Sequence, residues 1–322
     1  MGRIRFLALL CILWAGASPR AAAQLFDFMR RDTAYVEKYH ELLTVRPFVQ
    51  ARITSIGIRD ERLFSKYYKA NTPLAVGIGL AWKMIGISYT MDIPYTRAID
   101  DAPTRYFDIQ YHYYGRYITL DAYAMRYRGL YSQEREDSIS YQPKFYFDRY
   151  GFRVSYLLRG DDFSYAAAFE QAERQKTMAV SFPMGLGGYY QHISLNHPLL
   201  SEADKDTGRF LSEAFLGISA VFPFPDRFKG WFFAGELTLG ASLAFHREML
   251  RDFALMPSWQ TRFSLGYTER GWSLATVLYF HSLGLLRKGA LEIDGQNGTL
   301  QLVASWRIFR GGRWRIPQKS MD

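Results

Sequence analysis

The chain has 322 residues, 48% of them hydrophobic and 17% aromatic, with a mean hydropathy of −0.18 and a formal charge of +9. Its one cysteine, Cys11, lies near the N-terminus, so disulfides, cysteine-ligated zinc and a thiol nucleophile are excluded from the rest. The positive surplus is spread along the chain, with Arg307, Arg310, Arg313 and Arg315 the nearest to a cluster, which fits anionic head groups better than nucleic acid.

In chain order, residues 1–23 read as a Sec signal peptide. Arg3 and Arg5 give a positive n-region, Phe6 to Ala17 an apolar h-region, and Ala21-Ala22-Ala23 a small-x-small cleavage site, so the mature chain is expected to start at Gln24. The apolar run is short for a spanning helix, and Ala8-Leu9-Leu10 before Cys11 is a poor lipobox. After residue 23 no apolar run reaches helix-spanning length, so a membrane location would require a barrel of strands. Residues 24–43 carry Phe26, Phe28, Tyr35, Tyr39 and Leu42 among charges. They are read as a periplasmic segment, either a short amphipathic helix or a plug, and residues 44–322 as one barrel domain.

From Leu74 onward the pattern has period two. Leu74, Val76, Ile78, Leu80 and Trp82 alternate with Ala75, Gly77, Gly79, Ala81 and Lys83. After a tight turn at Lys83-Met84, Ile85, Ile87, Tyr89 and Met91 alternate with Gly86, Ser88 and Thr90. Phe107, Ile109, Tyr111 and Tyr113 then oppose Asp108, Gln110 and His112. A turn at Gly115-Arg116 leads into 117–131, where Ile118, Leu120, Ala122 and Ala124 oppose Thr119, Asp121 and Tyr123. Residues 150–159 turn at Gly160-Asp161-Asp162 into an expected strand over 163–169. In it Phe163, Tyr165, Ala167 and Phe169 oppose Ser164, Ala166 and Ala168. Further strands are expected over 178–191, 214–222, 231–247, 259–268, 271–281 and 299–309. One face is large and apolar and the other small or polar, the lipid-out, lumen-in arrangement.

The turns near 83–84, 115–116, 160–162 and 269–271 are short, whereas 59–73, 92–104, 132–143 and 284–298 read as long polar connections. Both chain ends in the periplasm require an even number of strands. The count is thirteen if 163–171 and 178–191 both cross, twelve if Glu170 to Thr177 is an inward detour within one crossing, and fourteen if 193–211 holds another strand. The expected fold is an all-β, antiparallel, up-and-down transmembrane barrel of about twelve strands, with fourteen as the alternative.

Two segments carry a resemblance. FDIQYHYYGRYITLDAYAMRYRGLY, residues 107–131, and DFSYAAAFEQAERQKTMAVSF, residues 162–182, resemble the exported β-barrel proteins of Bacteroidota known as the domain of unknown function 4421 family. In the second segment Phe163, Ser164, Tyr165, Ala167, Ala168, Phe169, Gln171, Glu173, Arg174, Gln175 and Lys176 keep the family pattern, while Asp162, Ala166, Glu170 and Ala172 depart from it. Residues 32–49, DTAYVEKYHELLTVRPFV, are similar to the family's opening. The resemblance implies a barrel and no particular activity; the departures leave no basic residue at 162 or 166.

Chemistry is thinly signalled. There is no Walker A, Rossmann or zincin motif, no metal-ligand spacing, and no cofactor is expected. Glu202, Asp204 and Asp206 could hold calcium in a loop but lack the EF-hand pattern. Asn297-Gly298-Thr299 is read as a turn before the last strand. A hydrolase would draw on His112, Ser164 and Asp121, which alternation places inward. The structural alternative is a lumen filled by hydrogen-bonded polar groups. The expected lumen cluster is Asp108, Gln110, His112, Asp121, Glu170, Glu173, Arg174 and Lys176. Its charges at 170–176 interrupt an apolar run, as a constriction, an internal salt-bridge network or a solvated loop.

Three functions compete: a non-enzymatic outer-membrane barrel serving as narrow channel, transport component or structural protein; an outer-membrane enzyme acting on lipid or cell-wall material; and a soluble secreted β-protein. The first is expected, in the outer membrane of a Gram-negative bacterium after Sec export. Outer-membrane lipid, lipopolysaccharide and, during biogenesis, the barrel-assembly machinery would be its partners. No nucleic acid partner is expected, and a small-molecule ligand stays open.

Overall fold

The computed structural model describes residues 34–308 apart from 40–42, 61–63, 72–73, 83, 98, 136–137, 197–204, 246–252 and 289–290. The expected signal peptide, most of the 24–43 segment, and Glu202 and Asp204 of the calcium reading lie outside these residues.

The described chain is almost wholly strand. The elements are β1 (Val36–Lys38), β2 (Leu43–Asp60), β3 (Phe64–Lys69), β4 (Leu74–Trp82), β5 (Ile85–Asp92), β6 (Arg105–Tyr114), β7 (Ile118–Arg135), β8 (Ser138–Leu157), β9 (Glu173–Gln175), β10 (Ala179–Ser181), β11 (Pro183–Ser194), β12 (Asp206–Pro223), β13 (Trp231–Phe245), β14 (Phe253–Thr268), β15 (Trp272–Lys288) and β16 (Leu291–Ile308). One π-helical turn, Ala166–Glu170, lies between β8 and β9.

All sheet pairings are antiparallel. The order runs β2-β4-β5-β6-β7-β8-β11-β12-β13-β14-β15-β16, and β16 pairs back onto β2 from Leu291↔Asp60 to Ile308↔Leu43. Each of these strands therefore has a hydrogen-bonded neighbour on both sides. β3 adds to β2 and touches β7, β10 adds to β12, and β1 pairs separately with β9.

Alternation decides which face is buried. On β13 Phe232, Ala234, Glu236 and Thr238 are buried, while Trp231, Phe233, Leu237 and Leu239 are exposed. The same inversion holds on β4, where Ala75 and Ala81 are buried and Leu74, Val76, Ile78, Leu80 and Trp82 are exposed. The buried face curls round to meet itself. Arg262 on β14 reaches Asp121 on β7, Arg153 on β8 reaches Thr238 on β13, and Arg52 on β2 reaches Asp108 on β6. The outer face carries aromatic rings at the short-turn end, where Tyr267 lies 5.8 Å from Trp231 and 5.1 Å from Trp272, and Trp306 pairs across from Trp272.

Several expectations need correction. Residues 163–169 do not form a strand. From Phe163 the chain turns into the interior, where both its large and its small residues are buried. The inward detour thus begins at Phe163 rather than Glu170, and β11 alone makes the crossing after β8. Residues 132–143 and 284–298 are not long loops, because β7, β8, β15 and β16 extend through them. Asn297-Gly298-Thr299 lies within β16, not in a turn. The 59–73 connection contains β3, and the C-terminal part of 193–211 belongs to β12 rather than to an extra strand. Over Val36–Lys38 the N-terminal segment is a strand, not a helix. Polar residues such as Ser132, Gln142 and Asn297 face the enclosed side and satisfy the ladder in long strands, which composition alone reads as loop.

Candidate functional site

The interior is layered. At the short-turn end the 163–178 insert fills the enclosed space. Phe163, Tyr165, Ala166, Ala168 and Phe169 pack with Leu157, Val221, Phe232, Ala234, Ala275 and Val277. Each buried Phe here contributes roughly 1.5–3 kcal/mol. Gln171 ends the helical turn in the left-handed region at φ 54°, and its carbonyl accepts from Arg307. At the opposite end a second apolar layer joins Ile56, Ile58, Tyr68, Tyr127, Phe145, Phe147, Leu211, Met256, Leu283 and Ile293. Between the two layers lies a chamber of about 110 Å³, bordered by His112, Tyr114, Asp121, Phe169, Glu170, Arg262 and His281 among others.

Charged networks line this middle zone. His112 Nδ1 stands 2.7 Å from Asp121 Oδ1, and Tyr114 OH donates to the same oxygen at 2.7 Å. Arg262 pairs with Asp121, donates to Tyr114 OH at 3.0 Å and lies 3.7 Å from Glu236. Glu236 also accepts from Ser219 and Gln260, each at 2.9 Å, and from Tyr165 of the insert. Glu213 accepts from Tyr189 at 2.6 Å and Ser258 at 2.7 Å, with Arg153 3.4 Å away. Such pairs hold only because each charge is partnered in a low-dielectric interior.

Glu170 is 3% exposed and its oxygen lies 3.0 Å from Arg46 Nη1. Gly86 on β5 makes room for it: a Cβ there would fall 2.0 Å from Glu170 Oε1. Ser164 Oγ donates to Glu173 at 2.5 Å and accepts from Ala167 N–H, and Gln175 Oε1 accepts from Ser164 N–H. Arg174 lies 3.6 Å from Glu37, across the β1–β9 pairing. Lys176 is exposed.

The anticipated cluster therefore divides. Asp108, Gln110, His112, Asp121 and Glu170 face the enclosed middle. Glu173 is buried inside the insert, whereas Arg174 and Lys176 turn toward the short-turn mouth. Asp108 pairs with Arg52, and Gln110 donates to it at 3.2 Å. His112 and Asp121 are together, but Ser164 is bonded to Glu173 and not to His112, so the three do not form a nucleophile–base–acid set. Asp206 lies 2.7 Å from His192. Among the described residues no three His, Cys, Asp or Glu side chains gather as a metal set. Composition missed Arg52, Arg153, Glu213, Glu236 and Arg262. Their signal was parity: each is a charge at a buried-face position inside an apolar alternating run.

A mostly-β chain wrapped round a polar, ion-paired interior is the class that fold and site define. The chain belongs to the family described as Domain of unknown function (DUF4421), whose profile matches residues 30–307. No curated protein gives a significant sequence match. Solved structures similar to it include the Escherichia coli outer membrane protease OmpT, at 7% identity and TM-score 0.37, covering 84% of this chain and 97% of that one. The translocator domain of the autotransporter NalP from Neisseria meningitidis has 10% identity and TM-score 0.38, covering 90% and 94%. The P. putida toluene transporter TodX has 6% identity and TM-score 0.28, covering 84% and 91%. At scores this low nothing is carried over from them.

Proposed function

We propose that the chain is a closed, twelve-stranded outer-membrane β-barrel with a stoppered lumen, serving as a transport-related or structural component and not as an open diffusion pore. The return of β16 onto β2 supports closure. The inverted alternation supports a lipid surround, since the exposed face is the apolar one. From Leu255 to Tyr267 the outward face of β14 spans about 40 Å of strand, or roughly 30 Å along the axis at a tilt of ~40°. That matches an apolar band bounded by aromatic residues. The short turns, the start of β2 and the end of β16 then lie on the periplasmic side, with lipid and lipopolysaccharide around the wall and the barrel-assembly machinery needed for insertion.

The observation that carries the stoppered reading is the pair of apolar layers on either side of the chamber. A narrow-channel role would require both layers to move. In this reading the His112–Asp121 pair belongs to a packing network and performs no turnover. The test is conductance in planar bilayers together with heat-modifiable migration of the outer-membrane fraction. The expected result is a heat-modifiable protein with no steady current. A steady porin-scale current would overturn the stoppered reading, and extraction without detergent would overturn the membrane reading.

A further inference from the structure

Three buried arginines of this interior meet acids, and a fourth, Arg307, is held by the carbonyls of Gln171 and Glu269. Arg52 has Asp108, Arg153 has Glu213 and Arg262 has Asp121. Arg149 on β8 is 1% exposed, and its Nε and Nη2 have no hydrogen-bond partner in the protein. Its guanidinium carbon lies 5.3 Å from the centroid of the Phe147 ring. A guanidinium does not escape burial by losing its proton, and an unpaired buried ion is strongly unfavourable.

The neighbours of Arg149 share the deficit. Gln191 on β11 stands directly across the ladder from it, is 2% exposed, and has neither Nε2 nor Oε1 bonded. On the other side Met125 of β7 faces Arg149, and Tyr123, one inward position along β7, holds a buried hydroxyl without a partner. Tyr123 lies 6.1 Å from Tyr189 and Tyr189 5.9 Å from His281, ring to ring, and these three border the chamber. Glu213, beside Tyr189 and His281, is already held by Tyr189, Ser258 and Arg153, so the guanidinium fork, the amide and the phenol offer several donors bonded to no carboxylate. That is the complement of a small oxyanion, which a planar fork binds through two parallel hydrogen bonds. The adjoining chamber of about 110 Å³, which Tyr123 borders and Arg149 and Gln191 do not line, has several times the space one water needs.

We propose that Arg149, Gln191 and Tyr123 form an internal binding site for a small oxyanion of the phosphate or carboxylate class, next to the central chamber. The proposal holds whether or not the barrel conducts. It is tested on the full chain in detergent micelles by thermal unfolding followed by circular dichroism. Sodium phosphate or sodium acetate replaces sodium chloride at constant ionic strength. The expected result is a saturable rise of several degrees in the wild-type midpoint with phosphate, acetate or both, since a ligand of the native state alone raises stability. Arg149→Met should lose that rise while its midpoint in chloride stays level or increases. Gln191→Leu, which keeps the charge, should raise the half-saturating concentration about tenfold and keeps the test open if Arg149→Met does not fold. No saturable rise with either anion in the wild type, or an unchanged rise in both variants, would overturn the proposal.

Discussion

Gly86→Ala separates this ion-paired interior from a generic strand. In the middle of a strand alanine is ordinarily the better residue, because glycine there costs about 0.5–1 kcal/mol relative to it. At β5, however, the new Cβ would lie 2.0 Å from Glu170 Oε1 and 3.1 Å from its carboxyl carbon. The carboxylate must leave, and with it goes the 3.0 Å contact to Arg46. Breaking a buried pair from one side costs about 3–5 kcal/mol. Arg46 keeps 13% side-chain exposure, which places this case near the low end, at about 3 kcal/mol. Net of the glycine effect, Gly86→Ala should destabilise by about 2 kcal/mol. In a Glu170→Ala background the obstacle is gone, and the same change should stabilise by about 0.5–1 kcal/mol. The assay is urea unfolding of the protein folded in vesicles, read by tryptophan emission through the four members of the cycle. An alanine at 86 that stabilises the wild type, or acts equally in both backgrounds, would refute the placement of Glu170 over β5.

Three further outcomes are expected. Leu237→Arg should cost about 2–4 kcal/mol in a bilayer, because its outward position lies near the middle of the exposed apolar run of β13, whereas the same exposed site in a soluble protein would move stability by only about 0.5 kcal/mol. Vesicle-based unfolding distinguishes the two. Asp108→Ala should cost about 3–5 kcal/mol by leaving Arg52 buried and unpaired, and Arg52→Met with Asp108→Leu should recover most of it in the same assay. Arg174→Ala should change stability by less than about 1 kcal/mol, since its contact with Glu37 is long and both side chains are partly exposed. A loss comparable to that of Glu170→Ala would show that Arg174 belongs to the buried network after all.

Much of the wall was legible in the sequence because its rule is local. Leu74 to Trp82 show their faces by alternation alone, and the structure exposes and buries them accordingly, whereas over Phe107 to Tyr113 on β6 only Phe107 is exposed and only Asp108 buried, with Ile109 to Tyr113 half-buried on both faces. What lay across the interior was not legible, since pairing order is a long-range property. Nothing near Arg262 in the chain indicates that Asp121 will meet it, 141 residues away. Parity could have flagged Arg262 and Glu236 as enclosed charges, but not their partners. The ends of strands were misread for a related reason. Ser132, Gln142 and Asn297 look like loop residues, yet they serve as the polar face of strands that run on past the apolar band.

The insert shows where alternation fails. Phe163 to Phe169 alternates large and small as a crossing strand would. A lipid-facing crossing, however, needs one face free to leave the protein. Here Ser164, Ala166 and Ala168 are as buried as Phe163, Tyr165 and Phe169. The discriminating signal lies in the residues just beyond. Glu170, Gln171, Glu173, Arg174 and Gln175 put polar groups at consecutive positions of both parities, which no strand can present to lipid on one side without placing a charge in it. The chain resolves the conflict by turning inward. Ser164 and Gln175 then satisfy each other, Glu173 is held by Ser164, and β1 supplies the second strand that β9 needs. A period-two run that ends in charges of both parities therefore reads as an internal segment, and the interior partners it requires are the Arg46, Glu236 and Arg307 found on the surrounding wall.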